Sequence, residues 1–139
     1  MSIQLKQYNQ HLLFKANNST GSSLLVGISE DKNPVAFRPM ELLLVGLASC
    51  SSLDIIKILN KQRQFDFKYD VHVESTRRED EIPSIFKAIT LHFIFEGEVA
   101  AIKIKKAVNL SLEKYCSVSK IIEQTATINH TITLNGERL

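Results

Sequence analysis

The chain has 139 residues, of which 44% are hydrophobic and 23% charged, and its formal net charge is +2. This length and composition suit one soluble domain with a buried core and exclude the disordered class. The small net charge gives no reason to expect nucleic acid or an anionic membrane surface as a partner. No apolar signal segment follows Met1, and the longest uninterrupted apolar stretch, residues 42–48, is too short to span a bilayer. We therefore expect a cytoplasmic protein with a single domain over residues 1–139.

The N-terminal part of the chain is predicted to form strands. Residues 11–16 and 23–28 are short apolar runs, and the stretch 17–21 between them is rich in turn-forming residues. The charged stretch 29–34, which contains asparagine followed by proline, is predicted to be a loop.

A strong helix is predicted after this loop. Pro39 suits the first helical position, where its missing N–H would have no intrahelical partner, and Glu41 in the first turn complements the helix dipole. From Leu42 to Leu53 the helix is apolar on nearly every face apart from small residues, which is typical of a helix buried in a core or an interface. After Asp54 the pattern becomes amphipathic.

Two strands are predicted next. Residues 67–76 alternate between apolar and polar side chains, which indicates a half-buried strand. The charged residues 77–81 are predicted to form a solvated hairpin connection. A second strand from Ile85 to Phe95 is expected to close at Gly97.

The last third of the chain predicts a second long helix, a short helix and a final strand. The long helix should run from about Val99 to Tyr115, and the short helix should follow Cys116. Residues 127–134 alternate as a strand does. The order strands, helix, two strands, helix, strand favours an α+β fold.

Cys50 and Cys116 are the two cysteines, 66 residues apart. In a cytoplasmic protein such cysteines are reduced, catalytic or buried rather than joined in a permanent disulfide. When only the separation of the two cysteines along the chain is considered, inert thiols in the core are more common than a reactive pair. Neither cysteine has a Cys or His partner at ligand spacing, and no glycine-rich phosphate loop occurs, so we expect no metal and no cofactor.

The local sequence around each cysteine favours reactive thiols. Small residues surround Cys50, so another group can approach closely; Asp54 one turn on would disfavour a thiolate, while Lys57 could offset it. The sequence leaves that balance open. Cys116 precedes the short helix, and a helix N-terminus lowers the pKa of a thiol.

Two motifs resemble those of the OsmC/Ohr family. Residues 38–50, RPMELLLVGLASC, resemble its signature of Pro-x-Glu-Leu, an alanine- and glycine-rich turn and a cysteine. Residues 113–118, EKYCSV, resemble its second motif, Cys-Pro/Ser-Val-Ser. The motifs occur in the expected order, and the resemblance covers nearly the whole chain. Residues 52–59 and the form KYCSV are most similar to the YhfA-like branch.

The resemblance implies an OsmC-like fold in which sheets wrap two central helices of an intertwined homodimer, with a thiol site at the subunit interface. It also implies chemistry. Cys50 as thiolate would attack a small organic hydroperoxide and become a sulfenic acid, Cys116 would condense with it to a disulfide, and an external dithiol would reduce the disulfide.

The activating groups of the hydroperoxide reductases are only partly present. Met40 stands ten residues before Cys50, where those enzymes have Glu, and Glu41 is one position along. Because no arginine precedes residue 38, Lys15 or Lys57 would have to replace their N-terminal arginine. Glu41 is the candidate activating carboxylate.

Two alternatives stay open beside the redox enzyme. The first is a non-catalytic dimeric binding module, with a pocket for an apolar small molecule at the dimer interface and redox-sensing or inert cysteines. The second is a purely structural dimer with inert thiols.

Overall fold

The computed structural model describes residues 1–9, 11–28 and 35–139, which divide into two compact units, Met1–Val45 and Gly46–Leu139. The boundary between the units falls within a helix. The expectation of a single domain stays a prediction. The predicted loop at 29–34 lies outside the described residues.

The N-terminal unit contains a three-stranded antiparallel sheet in the order β1-β2-β3. Its strands are β1 (Ile3–Gln7), β2 (Leu13–Asn18) and β3 (Ser23–Gly27). The predicted strands at 11–16 and 23–28 correspond to β2 and β3 within two residues. Strand β1, which is exposed along its whole length, was not predicted from the sequence.

Helix α1 (Pro39–Lys61) begins at the predicted proline and has 23 residues. Its fully buried side chains recur every four residues, so they form one stripe along the helix: Leu47, Ser51, Ile55 and Leu59. The other apolar faces that the sequence indicated are only partly covered, and Leu53 is 61% exposed.

By length and composition alone, α1 is also apolar enough to cross a membrane. The core helix of a soluble protein meets the same two criteria, so this observation has little weight. The uninterrupted apolar stretch, residues 42–48, is too short to span a bilayer, but a long apolar helix can also contain small serines between its apolar residues.

The C-terminal unit contains a four-stranded sheet in the order β4-β5-β6-β7. Its strands are β4 (Phe67–Arg77), β5 (Phe86–Gly97), β6 (Thr127–Leu134) and β7 (Glu137–Arg138). β5 and β6 are parallel, and the other neighbours are antiparallel. The sheet and its helices confirm the predicted α+β class.

The connection between the parallel strands β5 and β6 is helical. It consists of α2 (Ala101–Leu110), a π-helical turn (Ser111–Tyr115) and α3 (Ser117–Ile122). The helix predicted from about Val99 to Tyr115 does end at Tyr115, but its last turn is π-helical because the backbone changes its hydrogen-bond register at Ser111.

The core of this unit lies where α1 and α2 contribute their apolar stripes and β5 contributes one face. From Ile89 to Phe95 every second residue of β5 is fully buried, as expected for a strand with one covered face: Ile89, Leu91, Phe93 and Phe95. Ile104, Ala107 and Val108 of α2 are also fully buried. Burying each large side chain stabilises the fold by about 1.5–3 kcal/mol.

Candidate thiol site

The structure brings Cys50 and Cys116 together within the C-terminal unit. Cys50 is half-buried on α1, whereas Cys116 is only 3% exposed and lies between the π-helical turn and α3. Both thiols are free. The Cys50 side chain is a hydrogen-bonding neighbour of the Cys116 thiol and raises its pKa. Two residues that are 66 positions apart in the sequence therefore form one thiol pair.

The π-helical turn places Cys116 in the interior. The Cys116 N–H donates to the carbonyl oxygen of Ser111 at 2.7 Å, five residues back instead of the usual four. The extra residue in this turn rotates the chain relative to a continuous α-helix. Single π turns inside helices are frequent at functional sites.

Cys116 is also the N-cap of α3, as the sequence suggested. Its sulfur accepts a hydrogen bond from the Ser119 N–H at 3.3 Å. The expected lowering of its pKa is nevertheless wrong: burial raises the pKa of the Cys116 thiol to about 11, against an ordinary value of 9.0. The Ser119 N–H opposes this shift, and Cys50 adds to it. The free-energy cost of desolvating the thiolate is larger than the stabilisation that the thiolate gains at the N-terminus of α3.

Buried serines join the two segments that carry the cysteines. The Ser51 hydroxyl donates to the Leu47 carbonyl oxygen at 2.8 Å within α1, which satisfies it in the helix interior. The Ser111 hydroxyl donates across to the Ser51 carbonyl oxygen at 3.1 Å, and lies 3.5 Å from Asp54 Oδ2. Ser111 is fully buried. It thus ties the π-helical turn to α1 one residue from Cys50.

A second contact links α1 to the sheet. The Ser52 hydroxyl donates to the Ala48 carbonyl oxygen at 2.6 Å, so it accepts from Tyr69 Oη, which lies 2.8 Å away. Burial raises the pKa of Tyr69 to about 12, and the Ser52 hydroxyl partly opposes that rise. Tyr69 therefore keeps its proton, and its ring packs against the rings of Phe93 and Phe95.

Ser111, Ser119 and Tyr69 were not predicted from the sequence as part of the site. Ser111 and Ser119 occupy positions that the helical pattern assigns to buried residues. A polar residue at a buried position needs a hydrogen-bond partner, so each serine could have been recognised from the sequence as joining two segments. Tyr69 carries no comparable signal, since it stands on the predicted apolar face of its strand.

The close approach that the small residues near Cys50 suggested is seen at Gly46. A Cβ atom added there would lie 3.9 Å from Cγ1 of Val118 on α3. This is ordinary van der Waals distance, so little more than a methyl group would fit between the two segments.

Glu41 lies in the N-terminal unit, at the start of α1. Its Oε2 accepts a hydrogen bond from the Arg38 N–H at 2.8 Å, in the manner of the glutamate in a helix capping box. This contact agrees with a role in stabilising the helix start. Its assignment as an activating carboxylate stays a prediction, as does that of Lys15, which lies on β2.

Within the described part of the chain, no group of three or more His, Cys, Asp or Glu residues could hold a metal ion. The donor set at the site consists of two thiols, and the backbone N–H groups of Val118 and Ser119 lie at the Cys116 sulfur. Such a set suits oxidation and reduction of sulfur.

Known proteins are similar to this chain in sequence and in fold. The family model described as OsmC-like protein matches residues 29–131. Protein YhfA of Escherichia coli K12 is 39% identical over 122 residues, which cover 86% of this chain and 88% of YhfA.

Two solved structures extend the comparison. A protein of Aquifex aeolicus VF5 superposes with a TM-score of 0.78 at 30% identity, over 96% of each chain. An organic hydroperoxide resistance protein OsmC of Legionella pneumophila has a TM-score of 0.69 at 15% identity over 95% of each chain, which shows a shared fold. On the family match and the identity to YhfA, the chain belongs to the OsmC-like protein family.

Proposed function

We propose that this protein is a two-cysteine thiol redox protein that reduces small organic hydroperoxides. The observation that carries the proposal is the pairing of a partly buried thiol, Cys50, with a fully buried one, Cys116, whose pKa it raises as a hydrogen-bonding neighbour. The name of the Legionella relative, an organic hydroperoxide resistance protein and predicted redox protein, supports the choice of oxidant.

Cys50 is the attacking residue because it is the more accessible of the two thiols. Its thiolate sulfur bonds to the terminal oxygen of the hydroperoxide and the O–O bond breaks. The leaving alkoxide takes up the proton that the Cys50 thiol released on ionising and departs as an alcohol. The sulfur is oxidised by two electrons to a sulfenic acid, and the peroxide is reduced.

Cys116 resolves this intermediate. It loses its proton, its sulfur attacks the Cys50 sulfur, the S–S bond forms, and the S–O bond breaks. Hydroxide leaves and combines with the released proton as water. An external dithiol then reduces the disulfide by exchange and becomes a disulfide itself. Its burial and raised pKa keep Cys116 from competing for the peroxide.

The test is consumption of cumene hydroperoxide in the presence of a dithiol reductant. We expect Cys50→Ser to abolish turnover. Cys116→Ser should react once and accumulate a sulfenic acid that dimedone traps on Cys50. Lys68→Gln, an exposed change on β4, is the control and should match the wild type. Equal rates for wild type and Cys50→Ser would refute the proposal and leave a non-catalytic binding module or a structural dimer.

We further propose that the protein acts in the cytoplasm as a homodimer whose chain is a single domain. Large exposed apolar side chains on its helices support an interface; they include Leu53, Ile102 and Ile121, which are 61%, 78% and 72% exposed. Analytical ultracentrifugation should give twice the chain mass. Leu53→Glu should shift the sample to monomer and Lys68→Glu should not, whereas a monomeric wild type would contradict the proposal.

A further inference from the structure

A groove lies between α1 and the α2 segment of the C-terminal unit, with a volume of about 390 Å³. One wall is a single face of α1, where Asp54, Lys57, Ile58 and Lys61 follow each other at helical spacing. The other wall contains Lys106, Leu110 and Tyr115. A volume of this size accommodates a small organic molecule.

The groove is positively charged. Three lysine ammonium groups, from Lys57, Lys61 and Lys106, face one carboxylate, Asp54. In the described part of the chain none of the three lysines forms an ion pair, whereas Lys120, elsewhere on the surface, is paired with Glu123. The three charges are therefore free to interact with an anion.

Two residues that line the groove are near the cysteines along the chain. Asp54 lies four residues after Cys50, on the same face of α1, and Tyr115 directly precedes Cys116. Lys57 follows Cys50 by seven residues, a rise of about 10 Å along the helix axis. Ile58 and Leu110 supply apolar surface along the groove.

We propose that this groove binds a small organic carboxylate with a short apolar body. The carboxylate lies among the three lysines, and the apolar body lies along Ile58 and Leu110 with its far end toward the thiols. A neutral molecule of the same shape gains only the apolar contacts. The proposal goes beyond the proposed redox function and does not depend on it, because it concerns binding and needs no reaction at sulfur.

The experiment compares 4-phenylbutyrate with its neutral analogue 4-phenylbutanamide, each titrated into the reduced, full-length protein and followed by amide NMR shifts. We expect the carboxylate to bind more tightly than the amide and to shift resonances of residues that line the groove. The variant with Lys57, Lys61 and Lys106 all changed to Gln should bind the carboxylate about tenfold more weakly, the combined effect of three exposed charge contacts. Its affinity for the amide should be unchanged.

A matched control variant changes three exposed lysines outside the groove, Lys6, Lys68 and Lys87, to Gln and so alters the net charge equally. It should bind 4-phenylbutyrate as the wild type does. Equal affinity for carboxylate and amide, equal weakening in the two triple variants, or shifts confined to residues outside the groove would each overturn the proposal. Because no outcome involves peroxide, failure here leaves the redox proposal to its own test.

Discussion

Replacing Cys50 by serine leaves Cys116 as the single thiol of the chain and isolates its ionisation. In the wild type, burial is the largest cause of the raised pKa of Cys116, and the neighbouring Cys50 adds to it. The substitution removes the Cys50 contribution and leaves the burial. We therefore expect the pKa of Cys116 in the variant to fall below the wild-type value of about 11 and to stay above 9.0.

The size of the pKa shift of Cys116 in the wild type decides how much of this thiol is ionised at neutral pH. A shift from 9.0 to about 11 corresponds to about 3 kcal/mol in favour of the protonated thiol. At pH 7 about one Cys116 in 10⁴ is then a thiolate, compared with about one in 10² for an unperturbed thiol. If attack by Cys116 limits disulfide formation, its rate should rise about tenfold per pH unit from pH 7 to 10.

The assay is a pH titration of protein labelled with ¹³C at cysteine Cβ, whose chemical shift reports the thiolate. The Cys50→Ser and Cys116→Ser variants assign the two signals. Stopped-flow mixing with peroxide gives the pH dependence of disulfide formation. A midpoint at or below 9.0 for Cys116 in the Cys50→Ser variant would mean that the Ser119 N–H outweighs burial, and would refute the reasoning.

Three further predictions concern stability. Ser111→Ala removes a buried hydrogen bond between the π-helical turn and α1, so urea denaturation should show a free energy of unfolding lower by about 1 kcal/mol; an unchanged value would mean that the bond contributes nothing. Glu41→Ala removes the acceptor for the Arg38 N–H and should lower the free energy of unfolding by about 1 kcal/mol. Glu41→Gln keeps an acceptor and should lower it by less. Equal losses of unfolding free energy in the two variants would contradict the capping role. Tyr69 has a pKa raised from 10.0 to about 12, so its contribution to stability is present below pH 10 and is lost as the pH rises toward 12. The urea midpoint of the reduced protein should therefore fall less steeply at alkaline pH in Tyr69→Phe than in the wild type. Part of the fall should remain in the variant, because Cys116 also has a raised pKa and contributes from pH 9 upward. If the midpoints of the two proteins fall in parallel with pH, the assignment to Tyr69 is contradicted.

Local signals in the sequence determined where most elements of the fold begin and end. Pro39 and Glu41 identified the start of α1, because both act on backbone groups within one helical turn. The alternation from Thr127 to Leu134 gave the bounds of β6 without error, since one face of that strand is more buried than the other. The two cysteine motifs identified the family, because motifs keep residue types in order along the chain.

Tertiary structure alone decided the chemistry of the thiol pair. No local pattern reports that Cys116 follows a π-helical turn, because that turn depends on the packing of Ser111 against α1. The same packing buries Cys116 and reverses the pKa shift that its helix cap predicts, since desolvation depends on every surrounding segment. The groove likewise combines lysines from two helices separated by a whole hairpin. The sequence by itself thus determined which residues are present and which elements carry them, while packing determined which of them meet and in what protonation state.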